Sequence, residues 1–353
     1  MKKLPLNFET IRKAWAVYPK QSKRRVPVVL ILGIFGSAFE AFGIGLVIPV
    51  MTTMSKATPG NSNSVLQPLF NTLGIQDVAT MAGVAVLSIV GAFIIKNAYQ
   101  IFAQRYIAKL LNKTVHEISL MLFKSYLRRP YTFHLERNSS DLLNVLQQEV
   151  NLTVGIIGGV QALFKELVLA ISIFVLIVVT EPLAASLTLS ILVGGTILYT
   201  RITRKLAKKL GDERKDSQGP LTRYVLQGFN AVKEAQVLGR AENFIGHYEK
   251  QNIIVQNSAY RYGMLKFLGP IWTELLALTG VSTVVWVMIW QDRDQTRVVP
   301  FLGLFVIGVW RLVPSLNNLI KVLLDLSFAK PAVESLYNEF EYIKSQSEIV
   351  RTQ

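Results

Sequence analysis

The sequence predicts an all-α, polytopic membrane protein with six transmembrane helices, and three observations support this fold class. Hydrophobic residues make up 51% of the 353 residues, and the mean hydropathy of +0.36 is too high for an ordinary soluble protein. Six long apolar runs lie along the chain, and a helix needs about 20 apolar residues to cross a hydrocarbon core of roughly 30 Å. The segments between these runs keep apolar residues at helical spacing, which predicts helical extensions outside the membrane.

The six predicted spans are joined by connections of very unequal length. A tight turn at Glu181-Pro182 joins spans 3 and 4, and the sequence QDRDQTR joins spans 5 and 6. About fifty residues separate spans 2 and 3, and about sixty separate spans 4 and 5. The spans themselves cover about 26–54, 78–101, 152–180, 183–201, 264–290 and 298–324.

The distribution of basic residues predicts which side of the membrane each connection occupies. Most of the 38 Lys and Arg residues fall in the two termini and the two long connections, whereas only Lys56, Arg293 and Arg297 fall in the short outer connections. Cytoplasmic connections of membrane proteins carry such an excess. Both termini are therefore predicted to be cytoplasmic, and the net charge of +15 is assigned to the inner face of the membrane rather than to a nucleic-acid partner.

This orientation divides the chain into three parts. Residues 1–25 form a cytoplasmic N-terminal segment, and residues 325–353 form a cytoplasmic helical extension. Between them, residues 26–324 form the six-helix domain, with cytoplasmic hairpins at 96–151 and 201–263. On the outer side, an amphipathic helix is expected at about 64–73, where it either touches the substrate or simply closes the outer end of the bundle.

The predicted hairpins contain helices that are too long for the bilayer. The second span continues into the sequence IAKLLNKTVHEISLMLFKSYLRR, which contains neither Gly nor Pro. The fourth span is expected to continue to about residue 218, and a helix over 184–218 would be roughly 50 Å long at 1.5 Å per residue. Because that length exceeds the hydrocarbon core by about 20 Å, these helices are expected to stand out into the cytoplasm and to pack on each other.

Two interruptions place a short, partly apolar element at the tip of each hairpin. In the first tip, RRPYTFHLERNSSDLL, Pro130 is expected to stop one helix and Asn138 or Ser139 to cap the next. In the second tip, Gly219-Pro220 is expected to break the fourth helix, and a short amphipathic helix follows. An apolar tip either docks on a partner or packs against its own hairpin, and the periodicity leaves both open.

Three charged residues fall deep inside the predicted spans. Arg311 lies thirteen residues from the outer start of span 6, Glu40 lies fourteen residues from the inner end of span 1, and Glu274 lies within span 5. An unpaired charge there costs several kcal/mol, so each group is expected to face a partner or a water-filled cavity. By contrast, Lys96 and the pair Lys165-Glu166 lie toward inner ends of spans, where snorkelling is expected to satisfy them.

Two interpretations of Arg311 remain open. In the first, Arg311 pairs with Glu40 or Glu274 and holds the bundle in register. In the second, its planar guanidinium faces a central aqueous cavity and binds an anionic head group such as a pyrophosphate. Both can hold at different stages of one transport cycle.

The sequence predicts no catalytic, metal or cofactor site of its own. There is no Cys, and His116, His134 and His247 are scattered without the spacing of metal ligands. A P-loop needs Gly directly before its Lys-Ser/Thr pair, and none of the Lys-Ser/Thr pairs in this chain follows Gly. Binding of ATP to this sequence is therefore not expected.

The two tips resemble the two intracellular loops in the transmembrane domain of ABC exporters of the type IV fold. In RRPYTFHLERNSSDLLNVLQQEVNLTVGIIGG, Ser140 stands where many members have Gly. Shorter segments, FEAFGIGLVIPVM and RLVPSLNNL, are similar to bacterial flippases of lipid-linked oligosaccharides and to related polysaccharide or lipid exporters. In GFNAVKEAQVLGRAENFIGHY, the residues on the pattern of the second loop are Val232, Lys233, Glu234, Gly239, Glu242 and Phe244.

The resemblance implies an ATP-driven flippase in a bacterial inner membrane, active as a homodimer. It implies a lipid-linked oligosaccharide or another anionic lipid as substrate, bound by Arg311, Glu40 and Glu274, and surrounding membrane lipids as further partners. ATP and Mg²⁺ belong to a nucleotide-binding domain, which we expect in a longer form of this chain, since exporters of this family usually fuse the two, or else on a separate chain. The residues that would couple to that domain are Pro130, Tyr131, Phe133, His134 and Leu135 in the first tip, and Tyr224, Leu226, Phe229 and Val232 in the second.

Other functions compete with this one. An exporter of peptides or drugs would share the same fold. A secondary transporter or channel driven by an ion gradient is expected to show inverted repeats and interrupted spans in matching positions, and no internal repeat is visible here. A membrane scaffold that does not transport is the third alternative.

Overall fold

The computed structural model describes residues 8–45, 78–180, 182–290 and 295–351, and the chain is helical throughout these ranges, with no strand. The predicted all-α fold class is thereby confirmed. A π-helical turn at Val145–Glu149 separates the sixth helix from the seventh. The helices are α1 (Phe8–Val17), α2 (Lys20–Lys23), α3 (Val26–Gly45), α4 (Val78–Leu127), α5 (Tyr131–Glu136), α6 (Ser139–Asn144), α7 (Val150–Thr180), α8 (Pro182–Asn230), α9 (Val232–Val237), α10 (Ala241–Trp290), α11 (Gln295–Phe328) and α12 (Lys330–Arg351).

Several of the described helices are long and apolar enough to cross a membrane. Three segments qualify by themselves, namely Ser139–Val175, Ser186–Asn230 and Ala241–Trp290. A fourth qualifies if Gly308–Phe328 and Lys330–Ser345, which meet at a bend of 51°, form one span. Multiple spans are thus confirmed among the described residues, while the number six remains a prediction.

Parts of the predicted outer half lie outside the described residues. These are residues 46–54 at the end of span 1, the expected amphipathic helix at about 64–73, and most of the connection between spans 5 and 6. The outer helix and its two alternative roles therefore remain predictions.

Three helices are far longer than the bilayer is thick. The helices α4, α8 and α10 contain 50, 49 and 50 residues, which gives each a length of about 75 Å at 1.5 Å per residue. The hydrocarbon core measures roughly 30 Å, so each helix must continue well beyond it. The overshoot predicted from the sequence is present, and for α8 it is larger than predicted.

The expected break at Gly219-Pro220 is wrong, because α8 continues through Pro220 to Asn230. A proline inside a helix costs about 3 kcal/mol, and packing on both sides of Pro220 offsets that cost. Gly219 lies against the Asp141 carboxylate of α6, where an added Cβ would stand 2.8 Å from Oδ1. The same carboxylate lies 3.8 Å from the guanidinium of Arg223. Contacts from Asp141 of α6 therefore hold α8 at residues on either side of Pro220.

Among the described residues, the most extensive helix pairing joins α8 and α10. The Tyr199 hydroxyl donates a hydrogen bond to the Leu265 carbonyl (2.7 Å), and the Trp272 indole donates one to the Gly195 carbonyl (3.0 Å). The rings of Tyr199 and Trp272 also stack. These contacts fix the relative positions of the two long helices along the chain.

The largest core of the described chain gathers the end of α4, the start of α7 and the C-terminal helix α12, and the N-terminal helix α1 packs into it. Close backbone approach marks the neighbouring junction of α11 and α12, because a Cβ at Gly211 of α8 would overlap the Phe328 carbonyl. Members of the core are Ala14, Val17, Ile118, Leu122, Val150, Val154, Val333 and Leu336.

Candidate functional site

An ion pair joins two of the three charged residues that the sequence places deep in the spans. The Arg311 guanidinium of α11 contacts the Glu40 carboxylate of α3. Only 5% of the Glu40 side chain is exposed, and Glu40 lies about 20 Å along α3 from Val26. The structure thus contains the pairing of the first interpretation, with Glu40 as the partner.

Two lysines complete this cluster. The ammonium of Lys96 on α4 lies 3.7 Å from one Glu40 oxygen, and that of Lys165 on α7 lies 3.9 Å from the other. The expectation that both lysines snorkel to the interface is wrong, because each reaches a buried carboxylate on a neighbouring helix instead. We call Glu40, Lys96, Lys165 and Arg311 the intramembrane cluster.

Hydrogen bonds from side-chain hydroxyls to backbone carbonyls hold α3 against α4 and α7 on the N-terminal side of Glu40. The Ser37 hydroxyl lies 3.0 Å from the carbonyl of Lys165 and 3.0 Å from that of Gly33, and it can donate to either. The Tyr99 hydroxyl of α4 donates to the Leu32 carbonyl (2.8 Å). Glu40 is therefore carried on a helix whose position against α4 and α7 is fixed by donors one turn away.

The residue next to Lys165 has different partners. The Glu166 carboxylate accepts a hydrogen bond from the Ser315 hydroxyl (2.6 Å) and one from the Asn318 amide (2.9 Å), both on α11. Adjacent positions on a helix point about 100° apart, so α7 offers Lys165 to Glu40 and Glu166 to neutral donors. Glu166 thus ties α7 to α11 outside the intramembrane cluster.

A buried amide lies one helical turn from Lys165. Gln161 is buried, and neither its nitrogen nor its oxygen has a hydrogen-bond partner among the described residues. Residues four apart share a helix face, so Gln161 follows Lys165 along α7. A buried amide without partners is unfavourable by about 1–3 kcal/mol, so Gln161 is an unsatisfied polar position beside the cluster.

The intramembrane cluster carries more positive than negative charge. Three cations surround one carboxylate, which leaves a surplus of two positive charges. The carboxylate is 5% exposed, whereas the side chains of Arg311 and Lys165 are 33% and 27% exposed. The accessible part of the cluster is therefore its positive part, and a low-dielectric surrounding strengthens its attraction for an anion.

The sequence singled out Arg311 and Glu40 but missed the two lysines. The missed signal is the number of charges at the depth of Glu40 in the membrane. Three basic residues lie there, and Glu40 alone could not neutralise them. Finding it requires knowing that α3, α4, α7 and α11 turn these residues toward one another, which periodicity alone does not specify.

Glu274 does not join the intramembrane cluster. It is exposed on α10, and no described residue forms an ion pair with it. Its neighbour Thr273 faces α11 and donates to the Asn317 side chain, so Glu274 points away from Arg311. The alternative pairing of Arg311 with Glu274 is therefore wrong, and a role for Glu274 in substrate binding remains a prediction.

The first tip packs on its own hairpin and also shows apolar surface. Phe133 is buried and stacks on Tyr342 of α12 (ring centroids 6.1 Å apart), and His134 Nε2 lies 3.2 Å from the Tyr126 carbonyl. Burial raises the pKa of the Tyr126 hydroxyl, and the nearby Glu339 carboxylate raises it further. Tyr131 and Leu135 are exposed on the other side of α5. Packing of the tip on the chain itself is thus confirmed for one face, and docking of the other face on a partner stays a prediction.

The boundaries of the first tip agree with the expectation, with one difference. Pro130 directly precedes α5, and Asn138 stands at the N-cap of α6. The Asn138 side chain, however, makes no capping hydrogen bond, and its carbonyl accepts the Asp141 amide (3.0 Å) instead.

The second tip consists of the last turns of α8 together with α9. Because α8 does not break, Tyr224, Leu226 and Phe229 belong to α8, and only Val232 belongs to the short helix. Phe229 and Val232 are exposed beside a groove of about 500 Å³, and Tyr224 stacks on His247 with ring centroids 5.0 Å apart. This tip therefore offers an apolar, concave surface.

Gly239 closes the second tip. Its φ of +62° is in the left-handed region that favours glycine. The amide of Arg240 donates to the Ala235 carbonyl (2.8 Å), and that of Gly239 donates to the Gln236 carbonyl (3.2 Å). This pattern ends α9 and reverses the chain into α10.

Comparison with known proteins agrees with this architecture. The family described as the ABC transporter transmembrane region matches residues 26–306. The chain is also 21% identical over 251 residues to the ATP-dependent lipid A-core flippase of Ralstonia nicotianae (strain ATCC BAA-1114 / GMI1000), an alignment that covers 70% of this chain and 42% of that relative. The matched part of this chain therefore spans less than half the length of the relative. Since the family match covers well over half of the chain, this multi-pass, all-α protein belongs to the ABC transporter transmembrane region family.

Proposed function

We propose that this chain is the membrane-spanning part of an ATP-driven exporter that flips an anionic lipid, with a lipid-linked oligosaccharide as the favoured class of substrate. The observation that carries this proposal is the surplus of two positive charges around Glu40, on side chains more exposed than the carboxylate itself. An anionic head group that enters the bundle would meet Arg311 and Lys165 there. Membership of the family favours ATP over an ion gradient as the source of energy.

The name of the relative supports the same direction. That protein is described as an ATP-dependent lipid A-core flippase, and ATP-dependent flipping of a lipid comes to this chain as part of the proposal. An exporter of peptides or drugs does not need an anion site at this depth. The cation surplus therefore favours an anionic lipid over those substrates.

The chain's own residues would bind and orient the substrate. The planar guanidinium of Arg311 can donate two parallel hydrogen bonds to a phosphate, whereas Lys96 and Lys165 act as point charges. The unpartnered Gln161 amide lies one turn along α7 and could accept or donate to a polar part of the head group. The lipid tail would remain in the bilayer while the head group crosses through the protein.

The long helices would supply the movement. In the proposed cycle two copies of this chain form a homodimer in a bacterial inner membrane, with both termini in the cytoplasm. Nucleotide-binding domains would dock on the two tips, where Tyr131, Leu135, Phe229 and Val232 are exposed. ATP with Mg²⁺ would bind to those domains, and helices of about 75 Å would transmit their closure to the intramembrane cluster.

The test is a flipping assay on the protein together with its nucleotide-binding domain, in vesicles of phosphatidylcholine that contain a fluorescent polyprenyl diphosphate. We expect Arg311→Leu to slow flipping about tenfold or more, because a hydrogen bond between charged groups is worth about 1.5–3 kcal/mol. Stimulation of ATP hydrolysis by the lipid should be lost, while basal hydrolysis remains.

Lys321→Leu is the matched control, since Lys321 lies on the same helix outside the cluster, and it should flip at the wild-type rate. Unchanged flipping and unchanged lipid-stimulated hydrolysis in Arg311→Leu would refute the proposed substrate role.

A further inference from the structure

The most buried member of the intramembrane cluster is its only acid. Glu40 contacts the Arg311 guanidinium, and that guanidinium is also the group best suited to a phosphate. A carboxylate and a phosphate present similar oxygen pairs to the same fork of donors. Glu40 therefore occupies the position on Arg311 that the head group of a substrate would take.

Glu40 can leave Arg311 without becoming an unpaired buried charge. Its two oxygens already lie 3.7 Å from the Lys96 ammonium and 3.9 Å from the Lys165 ammonium. A small rotation toward the lysines would free the guanidinium while the carboxylate keeps two cationic partners. A buried ion without partners would be too unfavourable for such an exchange, and here the lysines remove that obstacle.

We propose that Glu40 is a built-in competitor of the substrate, which holds Arg311 when the site is empty and moves to Lys96 and Lys165 when a phosphate binds. This inference rests on the proposed function, because it assumes that an anionic head group reaches Arg311. When the lipid has crossed, the return of Glu40 to Arg311 helps to expel the head group. Glu40 is thus a specificity-determining residue that lowers the affinity for the substrate and speeds its release.

The charges of the cluster also specify the class of head group. With Glu40 in place the surplus is two positive charges. A phosphate monoester carries about −1.5 to −2 at neutral pH, and a diphosphate that bridges a lipid and a sugar carries one negative charge on each phosphate. Such a dianion neutralises the cluster completely. A singly charged phosphodiester leaves one positive charge buried, so it is the poorer ligand.

A purely structural Glu40 would behave differently. If it served only to neutralise cations, its removal would weaken the fold and leave the rate of lipid release unchanged. If it competes with the lipid, its removal tightens binding and slows release. The dependence of flipping on lipid concentration separates the two, because the half-saturating concentration and the maximal rate then fall together.

The experiment compares Glu40→Gln with wild type in the protein that carries its nucleotide-binding domain, in phosphatidylcholine vesicles with increasing amounts of a polyprenyl diphosphate. If Glu40 holds Arg311 in about nine molecules of ten, freeing Arg311 lowers the half-saturating concentration about tenfold. The maximal rate of flipping should fall at the same time. An unchanged or raised half-saturating concentration overturns the proposal.

Glu166→Gln is the matched control, because it removes the neighbouring carboxylate, whose partners are the neutral donors Ser315 and Asn318. Its half-saturating concentration should fall far less than that of Glu40→Gln, because Glu166→Gln also removes a negative charge but frees no donor of Arg311. An equal decrease would overturn the assignment to Glu40. If Glu40→Gln does not fold, Glu40→Asp takes its place. The shorter side chain keeps the charge but withdraws from Arg311, so a smaller decrease is expected, and no decrease overturns the proposal.

Two further arms complete the design. Wild-type protein should require several-fold more phosphatidylglycerol, a monoanion, than polyprenyl diphosphate for the same stimulation of ATP hydrolysis, and equal requirements would overturn the dianion preference. The variant Arg311→Leu shows which of the two proposals has failed, the function or the role of Glu40. If Arg311→Leu flips normally, the proposed function fails; if it loses flipping while Glu40→Gln keeps the wild-type half-saturating concentration, only the role of Glu40 fails.

Discussion

Two buried carboxylates in this molecule, Glu40 and Glu149, have opposite surroundings. Glu149 is 1% exposed in the π-helical turn before α7, and its partner Arg214 of α8 is 8% exposed. The guanidinium lies 3.3 Å and 3.4 Å from the two carboxylate oxygens, and the Asn144 amide donates to the same carboxylate (3.3 Å). One acid thus faces one cation, with a neutral donor beside them, whereas Glu40 faces three cations.

The difference indicates what each cluster is for. The pair Glu149–Arg214 is balanced and closed, so it has no charge left for a ligand, and the two ions satisfy each other by direct contact. The intramembrane cluster is unbalanced and partly open on its positive side. A balanced pair holds helices together, and an unbalanced one leaves positive charge for the anion of the proposed function.

The largest effect is expected at the balanced pair. Arg214→Met leaves the Glu149 carboxylate buried without a cation, which should lower the free energy of unfolding by about 3–5 kcal/mol. The methionine can fill part of the space beside Phe328, whose ring lies 5.8 Å from the guanidinium. Thermal or denaturant unfolding in detergent measures the loss.

A double variant tests whether this loss is electrostatic. Adding Glu149→Leu to Arg214→Met removes the stranded charge, so much of the stability should return. A single variant as stable as wild type would show that the pair is not closed to water, and the comparison with Glu40 would lose its basis.

An intermediate effect is expected at the first tip, where a buried acid has a half-exposed partner. Arg137 donates to the Glu339 carboxylate at 2.8 Å, and Glu339 is buried in α12. Arg137→Ala removes this bond and the contact of the guanidinium with the Phe133 ring. We expect a loss of about 1–3 kcal/mol in the free energy of unfolding.

The matched control for this variant is Arg128→Ala at the same tip, where no ion pair with a described residue is recorded. It should unfold like wild type. Equal stability of Arg137→Ala and Arg128→Ala would mean that Glu339 is reached by water, and the tip would then be held by its aromatic rings alone.

Much of this fold could be predicted from the sequence because its signals are local. Apolar runs and the lack of breakers in 102–127 indicate long helices, and Arg311 and Glu40 stand out against apolar neighbours. The path of α8 through Pro220 could not be predicted, since contacts with Asp141 across the hairpin oppose a local preference for a break.

The two lysines of the site could not be predicted for a different reason. Lys96 and Lys165 lie near span ends, where a local reading favours snorkelling, and only the rotation of α4 and α7 turns them toward Glu40. The rotation of α10 likewise decides against Glu274, whose neighbour Thr273 takes the position facing α11. Sequence periodicity shows which residues share a face of one helix. It does not show which faces of two helices contact each other, so the partners of a buried charge follow only from the structure.

The smallest effect on stability is expected where a cation is removed from the unbalanced cluster. In Lys165→Met the Glu40 carboxylate still contacts Arg311 and still lies 3.7 Å from the Lys96 ammonium, so no buried charge is stranded. The free energy of unfolding should change by less than about 1 kcal/mol, as for a partly exposed ion pair.

Lipid binding should weaken instead, because Lys165→Met halves the positive surplus that attracts an anion. The concentration of polyprenyl diphosphate that gives half-maximal flipping should rise about tenfold, the equivalent of 1.4 kcal/mol. Unfolding in detergent and the vesicle assay on the same preparation separate the two quantities. If Lys165→Met is as unstable as Arg214→Met and its dependence on lipid concentration is unaltered, the intramembrane cluster only holds helices together.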